Sequence, residues 1–165
     1  MKRICLILSL IVGIKYAAAA NLVFCGNNNE LTVSAAFTPC QITGDSNQDL
    51  CHISIENCNP TYVEGFELPV TTQLVDLPAR GNFQVTDLDF DAEEMILETE
   101  LSPFSAETEI DRTLDEWLPE NVINIGEPII MRGSRFSQIS VFPVQYNPAR
   151  NTVRVISNLR ASLAL

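Results

Sequence analysis

Short runs in which apolar and polar residues alternate dominate the C-terminal half of the chain, the period-two mark of strands with one buried face. The clearest run places Val153, Val155, Leu159, Ala161 and Leu163 on one face and Arg154, Asn158, Arg160 and Ser162 on the other. Asn147-Pro148-Ala149-Arg150-Asn151 before it is turn material, so residues 139–163 predict a half-buried hairpin.

Earlier runs at residues 31–37, 51–58, 68–77, 83–90, 95–97, 122–125 and 129–131 predict further strands. In the second of these Cys51, Ile53 and Ile55 share a face. Pro78-Ala79-Arg80-Gly81-Asn82 predicts a turn between two strands. Phe83 and Val85 lie on one parity and Leu88 and Phe90 on the other, which a bulge near Thr86 and Asp87 would reconcile. Residues 101–121 leave the period of two: Ile110, Leu114, Trp117 and Leu118 follow helical spacing, Thr108 and Asp111 offer a start, and Pro119 a stop. The pattern predicts a mainly β chain, an antiparallel β-sandwich with one short helix or long loop and a disulfide-stapled N-terminal extension.

The N-terminus changes the picture of where the protein works. Lys2 and Arg3, an apolar run over residues 4–14 and the small residues 17–20 form the three parts of a secretory signal. The run is too short for a bilayer core of about 30 Å. The expected organisation is a signal over residues 1–20, a cysteine-containing extension over 21–62 and the sandwich over 63–165, giving a secreted chain with no membrane attachment after cleavage. Loss of the signal removes three cations and no acid, taking the formal charge from −11 to −14 with no lysine left. Nucleic acids and anionic lipids call for clustered Lys and Arg, so neither is an expected partner.

Cys25, Cys40, Cys51 and Cys58 remain, an even number in an exported chain, and predict two disulfides with three possible connectivities. They contain no C-x-x-C pair, which argues against a zinc site joined by His52. His52 is the only histidine, and on a strand its side chain points away from that of Cys51, so a catalytic dyad is not expected. No nucleophile elbow or phosphate-cradling glycine loop is present. Glu93 with Glu94, or Asp111 with Asp115, could in principle form a paired-acid hydrolase, but a solvated acidic face accounts for them more simply. Asp87, Asp89, Asp91 and Glu98 match four positions of a calcium loop, yet Ala92 stands where that loop turns on glycine. No cofactor or metal is expected. Arg80, Arg112, Arg132 and Arg135 are the arginines that a loop could offer to a specificity pocket.

Several blocks stand out along the chain: Gly65-Phe66-Glu67-Leu68-Pro69-Val70, Val75-Asp76-Leu77-Pro78, Trp117-Leu118-Pro119-Glu120-Asn121, Gly126-Glu127-Pro128-Ile129-Ile130-Met131-Arg132, Val144-Gln145-Tyr146-Asn147-Pro148 and Thr152-Val153-Arg154-Val155. Together, and most specifically in the last two, they resemble the N-terminal propeptide of gingipain-type cysteine peptidases. The resemblance implies a β-sandwich that precedes a caspase-like catalytic domain, helps it fold and covers its active site. It implies an inhibitory loop before Trp117, with Arg112 as the pocket-filling candidate and Glu109 and Asp111 beside it. The chain itself is then not an enzyme, and its partner is a cysteine peptidase catalytic domain, in cis or in trans. The alternative is an extracellular β-sandwich binding or adhesion module.

Overall fold

The computed structural model describes residues 22–165 apart from 28, 46–48, 106 and 108. The expected secretory signal over residues 1–20 lies outside the described residues. Among the described residues thirteen strands follow one another: β1 (Leu22–Gly26), β2 (Glu30–Ala36), β3 (Gln41–Asp45), β4 (Leu50–Ser54), β5 (Asn59–Val63), β6 (Phe66–Leu77), β7 (Gln84–Ile96), β8 (Glu100–Leu101), β9 (Ile123–Ile125), β10 (Ile129–Met131), β11 (Ser134–Val141), β12 (Val144–Asn147) and β13 (Thr152–Ala164). No helix occurs among the described residues.

The last strand, β13, organises one sheet. Along one edge it pairs with all of β7. Along the other it pairs first with β12 and then with β2, which carries β1 on its outer side. Both long strands are bulged. Ile156 and Asn158 face consecutive residues of β7, leaving Ser157 unmatched, and Thr86 is the extra residue where Ser162 and Leu163 face Asp87 and Val85. The second bulge is the one the changed parity of β7 predicts. The first breaks the simple alternation of β13: Val153, Ile156, Leu159, Ala161 and Leu163 are buried, while Val155 is only half-buried.

The second sheet runs β10-β11-β6-β5, with β9 also paired to β11. The expected hairpin over residues 139–163 is therefore divided. Val141 ends a strand of this sheet, Phe142 and Pro143 cross over, and β12 and β13 form the hairpin in the first sheet. At the β10–β11 turn Arg132 and Gly133 adopt φ of 51° and 83°, the left-handed pair that a tight hairpin needs. A small third sheet joins β3, β4 and the two-residue β8. Val33, Ile156 and Leu163 from the first sheet and Val75, Ile139 and Val141 from the second belong to one buried cluster, with Phe66 and Tyr146 edge-to-face at 4.9 Å.

Two expectations are corrected. The four cysteines in the described residues are free thiols, not two disulfides. Cys51 points with Ile53 and Ile55 into the core, whereas Cys25 is exposed on β1, a strand of a different sheet. Burial pushes the Cys58 thiol up to about 11 and that of Cys40 above its ordinary value. Nor do residues 22–63 form a stapled appendage: β1 and β2 extend the first sheet, β3 and β4 build the third, and β5 extends the second. Ladder hydrogen bonds and the burial of Leu22 and Val33 hold this region in place of covalent staples.

Candidate functional site

The described residues among 102–121 form a long arm without helix or extended strand, fastened to the sandwich at both ends. The helical spacing of Ile110, Leu114, Trp117 and Leu118 is real, but tertiary contacts outcompete a local helix. At the start, Ser102 N donates to Cys51 O and Phe104 N to Gly65 O, each at 2.8 Å, and Pro103 bridges to Phe66. Phe104 and Tyr62 are exposed and meet edge-to-face at 5.6 Å.

The end of the arm lies on β12. Leu118 and Tyr146 exchange both backbone hydrogen bonds at 2.8 Å, and Ala149 N donates to Leu114 O at 3.1 Å. Beneath them, buried polar side chains form a socket. Gln145 Nε2 donates to Pro119 O at 2.7 Å, and Asn147 Nδ2 to Asp115 Oδ1 at 2.9 Å. The Tyr146 hydroxyl donates to Asn151 Oδ1 at 2.9 Å, while Asn151 Nδ2 donates to the carbonyls of Leu97 and Thr99. Arg150 closes a two-point pair on Asp115, its Nε 2.7 Å from Oδ1. The Arg154 guanidinium covers the Trp117 ring at 4.1 Å and pairs with Glu94 at 2.8 Å.

Electrostatics reinforce this fastening. Arg150 and then the Asn147 amide hold the Asp115 carboxyl below its usual range, and Asp115 in return raises Arg150. Asp111 is lowered by the hydroxyl and backbone N–H of Thr113, which both donate to its Oδ1, at 2.6 and 2.9 Å. Burial raises the Tyr146 hydroxyl, which suits its role as a donor.

The residues singled out from sequence are not gathered at one point. Glu109 and Asp111 are exposed, while Arg112 turns inward. Its Nε lies 3.0 Å from Glu100 Oε2, its NH2 donates to Leu101 O at 3.2 Å, and its guanidinium lies 5.8 Å from the Phe66 ring centre. Asp87, Asp89 and Asp91 are strung along β7, where Asp87 and Asp91 are about 13 Å apart on an extended backbone. Cys51 is buried and its neighbour His52 exposed, 4.0 Å from Glu67. Sequence reasoning missed the socket itself, Gln145, Asn147, Arg150 and Asn151. The signal was present: Gln145 and Asn147 are polar residues inside an apolar strand block, and such residues are buried only with partners.

The specific Val144-Gln145-Tyr146-Asn147-Pro148 block is thus the strand and turn on which the arm is seated. Residues 109–164, from within the arm to the end of β13, match the Propeptide_C25 family. The chain resembles the propeptide of gingipain-type cysteine peptidases. The fold agrees. A structure described as giving insight into zymogenic latency of gingipain K from Porphyromonas gingivalis superposes with a TM-score of 0.68 at 18% identity, over 92% of this chain and 96% of that one. A complex of the RgpB pro- and mature domains from the same organism gives 0.69 at 17% identity, over 87% and 82%. No curated protein sequence matches the chain. The structural likeness extends over far more of the chain than the family-matched segment.

Proposed function

We propose that this chain is a secreted propeptide-like domain that assists the folding of a gingipain-type cysteine peptidase and holds it latent, without catalytic activity of its own. The observation that carries the reading is the arm of residues 102–121, presented by a fold similar to gingipain pro-domains and seated on β12 within the family-matched segment. A sandwich with a pinned arm suits occlusion of a cleft, because ordering of the arm is completed before binding and is not charged against affinity. Glu107, Glu109 and Asp111 supply an acidic rim that favours encounter with a cationic cleft edge. For an adhesion module, the exposed pair Tyr62 and Phe104 is the natural candidate. Its interplanar angle of 86° does not make the flat platform on which sugars stack.

The test is inhibition of the C25-type peptidase of the source organism by the purified chain, with mature gingipain K and mature RgpB as specificity controls. Stoichiometric inhibition with return of activity after the domain is cleaved supports the proposal. Full peptidase activity in the presence of excess folded chain rejects it.

A further inference from the structure

The arm and its arginine have different roles in this structure. Arg112 is 28% exposed at its side chain, against 61% for Arg150. Its guanidinium is held by the Glu100 carboxylate, the Leu101 carbonyl and the Phe66 ring. Its NH1 is buried and has no hydrogen-bond partner among the described residues, so it is enclosed by the domain and not offered outward. Withdrawing it would leave Leu101 O without this donor and open a gap beside Phe66, a buried core side chain.

Arg112 also sits where a clasp is needed. It joins residue 112 to residues 100 and 101, twelve and eleven positions back, and so closes the base of the loop between them. Ser102 and Phe104 fasten the same loop from its first side, and Leu114 and Asp115 from its second. The sequence between these fastenings, residues 105–110, contains no basic residue. A planar guanidinium meets a carboxylate and a carbonyl at once, which an ammonium cannot do with the same geometry.

We propose that Arg112 is a positioning residue, the tether that pre-sets the arm, and that it does not enter a peptidase specificity pocket. The functional half rests on the reading of residues 102–121 as the inhibitory arm. The tether itself is testable in the chain alone. Trypsin is a suitable probe, because cleavage of a folded protein reports local exposure and opening. In the native full chain, scission after the exposed Arg80 and Arg132 is expected to run about tenfold or more ahead of scission after Arg112. In Arg112→Lys, which keeps a trypsin site but loses the fork, scission at position 112 is expected to rise severalfold with the other two rates unchanged. Earliest cleavage at Arg112 in the native chain, or an unaltered rate in Arg112→Lys, overturns the tether. Against a peptidase that the parent chain inhibits, Arg112→Ala is expected to slow association about tenfold yet reach the same maximal inhibition at saturation, the signature of lost pre-organisation. Loss of inhibition at saturation would assign Arg112 to the pocket and overturn the proposal. Absence of inhibition by the parent chain would instead strike at the inhibitory reading and leave the trypsin result standing.

Discussion

Tyr146 is the residue through which the socket, the core and the arm meet, and its substitution has a calculable cost. It is fully buried, its ring stands edge-to-face on Phe66, its backbone holds Leu118, and its hydroxyl donates to Asn151. Tyr146→Phe removes only the last of these. Asn151 Oδ1 then loses its donor in a half-buried site, a loss of about 1–2 kcal/mol. For a domain of this size that corresponds to a fall in Tm of roughly 2–8 °C. Tyr146→Ala also empties the ring's volume, at about 3–5 kcal/mol, and forfeits the aromatic pair, about 0.5–1.5 kcal/mol. Urea unfolding followed by far-UV circular dichroism gives the stability. Trp117, the single tryptophan, gives a second signal from the arm's end. The two signals should shift together in Tyr146→Ala. A loss below about 0.3 kcal/mol for Tyr146→Phe, or an unfolding midpoint unmoved in Tyr146→Ala, would refute the view that β12 couples arm and core.

The depressed Asp115 carboxyl makes the arm's seating acid-sensitive in one direction. A lowered folded-state pKa contributes stability above the unfolded value of about 3.9 and loses it as pH falls through the folded value. Trp117 emission should therefore be flat from pH 7 to about 4.5 and change below that, with Asp115→Asn flattening the acid limb; a transition centred near pH 6 would contradict this. Exposed Cys25 should be alkylated about tenfold or more faster than buried Cys51 and the desolvated Cys58, whereas thiols reactive only after reduction would restore the disulfide expectation. The outward row Asp87, Asp89, Asp91 and Glu93 lies on β7, which among the described residues is paired only to β13, so it guards an open edge by charge repulsion. Replacing all four by amides should raise the apparent mass in size-exclusion chromatography, and an unchanged elution volume would count against that role.

Much of the fold was legible where a residue's environment follows from its neighbours along one strand. The alternation of β13, the turn at residues 147–151 and the bulge at Thr86 were all written in local pattern. Ser157 was not, because a bulge in an otherwise alternating run is imposed by the pairing partner. The helix suggested by Ile110, Leu114, Trp117 and Leu118 failed for the same reason: β12 offers Leu118 two backbone hydrogen bonds and Arg154 covers Trp117, neither of which helical spacing can reveal. The cysteine count suggested staples, but parity alone placed Cys51 in a core already sealed by Ile53 and Ile55. Within the arm, sequence located the segment by resemblance. It could not show that Arg112 faces Glu100 and Phe66, since that contact depends on how the arm folds back over β8.

If the arm of residues 102–121, seated on β12, makes the domain an inhibitor, the direct measurement is the inhibition constant of the intact chain for the source organism's C25-type peptidase, compared with a chain in which residues 105–110 are replaced by a short glycine-serine linker. Circular dichroism and thermal unfolding would verify that the sandwich persists. The linker chain is expected to lose roughly 2–5 kcal/mol of binding, about thirty- to several-thousand-fold in the inhibition constant. Equal inhibition by the two chains, both folded, would contradict that expectation.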